Sequence, residues 1–589
     1  MKLTEIVRVG WLFVVVLLLT AGTARAQGVV FQDFYWDTVP PPGQSWWAYT
    51  ERQLPVLAAA GVQSVWVPFP VKGAAGKDDM GYGPYDLYDL GSKDQKGTVA
   101  TRFGTKDEFL RFVASAHRLG LKVYSDCVLN HAMGADYAEP NPVMAKLGWN
   151  DIPDQAAIKP SQRSPEAKPG DILRSWTEFR PKGADGKLGS GRFPRTWRDF
   201  HPNDAEPDRN PPYHEKEFGE DYAYRGDGDD YVRHSMIAWS NWFVAQTGVD
   251  GYRLDDIKGM EPDMVHDFVT GSPPGLWIVG EYLDGDPVKT SGYLQQTGSV
   301  LHLFDYPLYF AIRDMTFKPE SFDMRDLLKR RLPDRARAVT FVGNHDMSRN
   351  DSVLVYNRLF AQALVLAMSG TPCVYYSDFW HTDAARRAKI VRLIHLHNRL
   401  AVGDEIVRNA AQYTLALERR GHLLAVFNSG GDDAPHTMTV QTTFGPHRRL
   451  RDWAGSASPV ITDAAGQVTV TVQPFTFAYY APADAAPEPP RPALPTSQTW
   501  EFADDLDTGR LSGTPQTVRV YVKSGEAVSA SAEADGAVPL SLTAFDPSGK
   551  PVSSGSDALE FRAAVDGVYR VEIKTAAGQT AHGRLTLRY

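Results

Sequence analysis

Between residues 27 and 402 one pattern recurs: a short apolar run, a turn, then a stretch of helical period. The runs are VVFQDFYW (29–36), SVWVPF (64–69), LKVYSD (121–126), VDGYRLD (249–255), LWIVGE (276–281), VLHLFD (300–305), AVTFVGN (338–344) and TPCVYYSD (371–378). A strand that is apolar on both of its faces needs cover on both sides, as in a parallel sheet flanked by helices. Eight such units predict a closed (β/α)₈ barrel. The helices between them carry readable punctuation. Thr105 and Glu108 stand at capping-box spacing and Gly120 stops that helix, while a second helix holds Trp239, Trp242 and Phe243 on one period and ends at Gly248.

The alternation is broken between residues 132 and 230, a stretch rich in Pro, Gly, Asp and Arg that reads as a domain inserted after the third strand, so the barrel is expected over 27–131 and 231–402. Residues 403–482 change to alternating strands and predict an all-β domain. A Pro/Ala linker at 483–498 leads to a β-sandwich candidate at 499–589. Residues 1–26 place Lys2 and Arg8 before an apolar run and end in Ala24-Arg25-Ala26, the layout of a secretory signal. The expectation is an exported protein with no membrane association once the signal is removed, and a monomer. Cys127 and Cys373 each sit in an apolar strand run, which predicts two buried free thiols. A net charge of −9, with no Lys/Arg-rich run, argues against nucleic acid as a partner.

In a barrel of this kind chemistry is done at the C-terminal ends of the strands. Those ends read Asp126, Asp255, Glu281 and Asp305, with Asp346 just beyond the seventh strand. Side chains alternate along a strand, so in GYRLDD the side chains of Arg253 and Asp255 share a face and Asp256 takes the other. Arg253 is expected to hold Asp255 ionised as a nucleophile. Asp256 is expected to be a salt-bridge or helix N-terminal charge. Glu281 closes an apolar strand, where partial burial can keep a carboxyl protonated as a general acid. One ionised and one protonated carboxyl flanking a bond are the minimum for glycoside hydrolysis with retention. Asp346 would stabilise the positively charged transition state, with His345 and His131 donating to sugar hydroxyls. A single strand-end acid more often caps the next helix; several at one mouth point to catalysis.

At these residues the chain resembles the α-amylase family of glycoside hydrolases. DCVLNH, GYRLDDIKG, IVGEY and FVGNHD are similar to its four ordered barrel motifs, and DIKG, VGEY and FDYPLY are similar to the plant and archaeal members. The resemblance covers about residues 28–482. It implies Asp255 as nucleophile, Glu281 as acid/base and Asp346 as transition-state stabiliser. It also implies Asp126, His131, Arg253, Lys258 and His345 as substrate contacts, with Tyr82 stacked beneath the sugar being cleaved. It further implies a structural Ca²⁺ held by Asn130, an inserted-domain aspartate, best matched by Asp221, and the Gly259 carbonyl. Asp208 is a weaker match for that aspartate; the acidic run at 225–230 reads as a solvated loop ahead of a cation site, and the run at 504–509 is a weak calcium candidate. The implied activity is endo-hydrolysis of α-1,4 bonds in starch-like glucans. An exo-acting or transferase relative and a non-catalytic glucan binder stand as alternatives. Trp36 and Trp380 are candidate subsite walls, and Trp66 is expected in the core. The 499–589 segment resembles small β-sandwiches appended to secreted bacterial hydrolases, and its one tryptophan, Trp500, speaks against paired aromatic platforms for starch.

Overall fold

The structure, a computed structural model, describes residues 28–134, 137–138, 141–147, 174–175, 189–207, 219–226, 230–349, 354–485, 497–502, 516–534, 538–575 and 583–589. The leader, Asp208, Asp227, Asp229, most of the linker and the 504–509 run fall outside the described residues.

The eight apolar runs form a closed parallel barrel. Its strands are β1 (Val30–Gln32), β2 (Ser64–Val67), β3 (Lys122–Cys127), β4 (Gly251–Leu254), β5 (Trp277–Gly280), β6 (His302–Phe304), β7 (Ala338–Phe341) and β8 (Thr371–Tyr375). They follow one another around the barrel in chain order, and β1 closes the ring by pairing with both β2 and β8. Strands β2, β4, β7 and β8 are buried along their whole length, which is why their sequences read as unbroken apolar runs rather than alternating ones. Seven of the eight strands are shorter than their runs; β3 equals its run in length, shifted by one residue to end at Cys127.

Helix α1 (Lys106–Arg118) starts in the expected reciprocal cap: the Glu108 carboxylate accepts from the Thr105 backbone N–H at 2.8 Å and the Thr105 hydroxyl accepts from the Glu108 N–H. Gly120, with φ +73°, turns the chain out of it. Helix α2 (Tyr231–Thr247) ends in the same way at Gly248, with φ +74°. Past β3, His131 and Ala132 pair antiparallel with Asp221 and Glu220, so the entrance and exit of the inserted segment are joined at the barrel mouth.

Residues 405–482 form a six-stranded antiparallel sheet and a two-stranded one. Residues 497–588 form two four-stranded sheets closed over their own core, including Val520, Val571 and Leu587. This sandwich begins earlier than expected: Ser497 and Gln498, read as linker, pair with Arg588 and Leu587. It is seated on the barrel. Its strands Gln516–Val522 and Gly567–Thr575 lie against α1, Arg118 Nη2 is 2.6 Å from Glu526 Oε1, and Arg519 Nη1 donates to the Gln246 carbonyl at 2.8 Å. Cys127 and Cys373 are both free and buried. Among the described residues no helix is long and apolar enough to cross a membrane.

Candidate active site

Strand register carries the acids to one place. Arg253 stands opposite Asp126 of β3 on one side and Val279 of β5 on the other. The ladder then continues one step past β4 and β5: Asp255 N donates to the Cys127 carbonyl and Glu281 N to the Leu254 carbonyl, each at 2.9 Å. Both carboxyls are thus fixed through the backbone of rigid strands.

Arg253 is the hub, only 1% exposed. Its Nη1 donates to Asp126 Oδ1 at 2.9 Å and to Asp255 Oδ1 at 2.6 Å, and its Nη2 donates to Glu281 Oε2. Burial opposes the guanidinium charge, but Asp126, Glu281 and Asp255 outweigh it and push the Arg253 pKa well up. The expectation for Asp255 needs correction here. Burial pushes its carboxyl well above the usual range, and the opposing pull of Arg253 does not cancel that, because Glu281 and Asp126 repel the same charge. Burial likewise raises Asp346, against Arg253 and Arg349. Four carboxyl groups against the two cations Arg253 and Arg349 leave a site suited to developing positive charge.

A second set of contacts surrounds Tyr82. Its hydroxyl donates to Asp126 Oδ2 at 2.6 Å and lies 2.5 Å from His345 Nε2. A carboxylate only accepts, so the tyrosine proton goes to Asp126 and His345 must donate through Nε2–H. Burial lowers His345 to about 3, so the ring is neutral and its bare Nδ1 accepts from Gln32 Nε2 at 2.9 Å. The relay therefore runs Gln32 to His345 to Tyr82 to Asp126. The rings of Trp36, Tyr82 and His345 are nearly parallel, with Trp36–Tyr82 centroids 5.6 Å apart, and Arg349 covers Trp36 at 3.8 Å. Trp36 thus belongs to the site. Trp66 is core, as expected, beneath the Arg253 guanidinium, whereas Trp380 packs on Tyr376 and Phe379.

His131 differs from its expected role. Its Nε2 lies 2.9 Å from the Tyr82 carbonyl, and burial lowers its pKa to about 4, so its N–H orients Tyr82 instead of pointing at a sugar. In the same way the His345 N–H is directed to Tyr82. Lys258 stays outside the cluster, partly exposed with Nζ 3.9 Å from Asp284. Asp256 adopts φ +40° at the N-cap of a short turn and makes no side-chain cap there. Asp305, the remaining strand-end acid, is structural: it caps helix α3 (Tyr306–Phe317) through Leu308 N and pairs with Arg335.

Two participants had no place in the sequence reading. The Tyr306 hydroxyl donates to Glu281 Oε1, and Asn344 Nδ2 donates to Tyr306 at 3.1 Å. The only signal was position: both follow barrel strands directly, in FDYPLY and FVGNHD.

The residues named for calcium converge. Asn130 Oδ1 is buried without a hydrogen-bond partner, and a Cβ added to Gly259 would come within 2.6 Å of it. Asp221 is fully buried, paired across from His131, and Tyr222 N donates to the Asn130 carbonyl at 3.0 Å. An amide oxygen, a carboxylate and a nearby glycine backbone form an oxygen set of the type Ca²⁺ prefers. Among the described residues no group of three His, Cys, Asp or Glu side chains is placed to hold a metal.

Comparison with known proteins agrees with this geometry. The family described as alpha amylase, catalytic domain, matches residues 50–412. An alpha-amylase of Geobacillus stearothermophilus is 30% identical over 423 residues, covering 64% of this chain and 73% of that protein. A glucan 1,4-alpha-maltohexaosidase of Bacillus sp. (strain 707) is 27% identical over 418 residues, covering 64% of this chain and 76% of that protein. The solved structure of an alpha-amylase from Malbranchea cinnamomea superposes with a TM-score of 0.54 at 18% identity, over 78% of this chain and 97% of that one, a likeness of fold. With a matched region that spans most of the chain and contains the whole Arg253 cluster, this protein belongs to the α-amylase family of glycoside hydrolases.

Proposed function

We propose that this enzyme is exported and cuts internal α-1,4 bonds of starch-like glucans with retention of configuration. The observation that carries the reading is the single guanidinium holding Asp255 and Glu281 on its two terminal nitrogens. Two carboxyls bridged side by side by one guanidinium support a retaining pair, whose carboxyls stand about 5–5.5 Å apart with no water seated between them. In the first step Asp255 attacks in its ionised form, which the Arg253 guanidinium favours: one of its oxygens bonds to the anomeric carbon while Glu281 gives its proton to the departing glycosidic oxygen. In the second, Glu281 takes a proton from water, whose oxygen displaces Asp255 and restores the original anomer. Asp346 faces the oxocarbenium-like charge in both steps, and the Trp36–Tyr82 stack offers the sugar an apolar face.

Asp255→Asn is expected to lower kcat by about three orders of magnitude or more, with glucan binding retained. Asp256→Asn is expected to stay within a few-fold of wild type; the reverse result would move the nucleophile to Asp256. With soluble starch, loss of iodine colour ahead of reducing ends supports internal cutting, and α-anomeric first products support retention. The maltohexaosidase relative favours one rival, an exo-acting enzyme, for which reducing ends would rise while colour persists.

Asn130, Asp221 and the Gly259 carbonyl would hold a Ca²⁺ that neutralises Asp221 and ties the inserted segment to the barrel. Chelation is expected to lower the melting temperature, with recovery on adding Ca²⁺ but not Mg²⁺; a melting temperature indifferent to chelator would remove the ion from the account.

A further inference from the structure

We propose that Asn344 and Tyr306 form a one-way hydrogen-bond relay that positions Glu281 as proton donor and braces it to Asp346; this rests on the acid/base reading of Glu281. The direction follows from counting donors. Asn344 Oδ1 accepts from Asp346 N at 3.0 Å and from Met347 N at 2.8 Å. Two backbone N–H groups can face only the amide oxygen, so the amide NH₂ is turned to Tyr306, where Nδ2 lies 3.1 Å from the hydroxyl. That NH₂ can only donate. The Tyr306 oxygen therefore accepts from Asn344, and its one proton is left for Glu281 Oε1.

The brace is stiff. Tyr306 is fully buried at the first turn of α3, its ring set edge-on against Phe341 with centroids 5.1 Å apart. Burial, with Glu281 and Asp346 nearby, pushes the phenol well above its ordinary range, so it stays a donor at any working pH. A hydroxyl aimed at Oε1 gains strength as Glu281 becomes anionic, which happens as the proton passes to the departing sugar oxygen. The amide that sets this direction also fixes the backbone of Asp346. One side chain thus couples the proton donor just after β5 to the charge stabiliser after β7.

The test compares kcat/KM on two substrates in one preparation, so that any loss of folded protein cancels in the ratio. A maltooligosaccharide leaves as a sugar alkoxide and needs the proton; an α-maltooligosyl fluoride leaves with little help. Tyr306→Phe keeps the ring and is expected to lower kcat/KM about 10- to 100-fold on the maltooligosaccharide and less than about 3-fold on the fluoride. Asn344→Asp, of the same shape, presents an acceptor that draws the Tyr306 proton away from Glu281 and should give the same selective loss. Equal losses on both substrates, or none, would overturn the relay. Glu281→Gln is measured alongside. If it is selective and Tyr306→Phe is not, the relay alone fails; if Glu281→Gln hits both substrates equally, the acid/base reading fails with it.

Discussion

Arg253 shows how one buried cation organises a site that would otherwise repel itself. Removing a partner from a buried pair costs about 3–5 kcal/mol, since it strands a charge, and here Asp126, Asp255 and Glu281 all depend on the same guanidinium. The histidines beside them are kept neutral by the same burial, which has a consequence for pH. His345 titrates near 6.5 when unfolded but only at about 3 when folded. Below pH 6.5 the unfolded chain therefore binds the extra proton, and the contribution of His345 to stability, complete above 6.5, is lost as the pH falls toward 3. Relative to a His345→Gln variant, the wild type should lose about 1.4 kcal/mol per pH unit across that window. Denaturant melts of both proteins at pH 7, 6, 5 and 4 check this; parallel curves would mean the imidazole is protonated in the fold.

Strand β4 is the element on which the chemistry hangs, because it supplies Arg253 and leads directly into Asp255. Its first residue is a glycine for a steric reason: a Cβ on Gly251 would sit 1.8 Å from the Trp277 carbonyl oxygen, inside the ladder to β5. Gly251→Ala cannot be absorbed by a side-chain rotation, since the obstacle is backbone. It should push β4 and β5 apart, destabilise the barrel by about 1–3 kcal/mol or more, and misplace Arg253 relative to Glu281. A variant with wild-type melting temperature and kcat would show that the two strands tolerate the separation. Nearby, Gly280 is also crowded, there by a side chain: Cδ1 of Ile257 would lie 2.3 Å from an added Cβ. Close backbone packing at Gly251 helps keep Asp255 and Glu281 at their spacing.

The whole molecule adds a support that the barrel alone lacks. Helix α1 is buried on nearly every side: Phe109, Phe112, Val113 and Ala116 line one face, while Leu110 and Ala114 on another are covered as well. Apolar residues off the main face of an amphipathic helix need cover of their own, and strands Gln516–Val522 and Gly567–Thr575 of the terminal sandwich lie against this one. Arg118 links the two bodies, paired to Glu526 at 2.6 Å and stacked over Tyr589 at 4.0 Å. It precedes the start of β3, so the contact lies toward the end of the barrel away from Asp126 and Asp255. A chain ending at residue 485 should lose several degrees of melting temperature from the exposed flank of α1, with kcat on short maltooligosaccharides retained. Unchanged melting with lost activity would instead tie the sandwich to substrate handling.

Strand count, strand order and the capping box of α1 were legible in residue order, because periodicity and caps act between neighbours a few positions apart. So were the acids at the strand ends, since a residue that closes a buried parallel strand has only the barrel mouth to enter. Position at a strand end did not by itself separate one acid from another. Asp305 and Glu281 end similar runs, yet Asp305 meets Arg335 and the start of α3 while Glu281 meets Arg253 and Tyr306. Tyr306 and Asn344, the commitment of His131 to the Tyr82 carbonyl, and the seat of the sandwich on α1 are likewise contacts between residues 25 or more positions apart. Local preference carries no record of such partners. They exist only once barrel closure has set the register, and once burial has made each polar group find a specific acceptor instead of water.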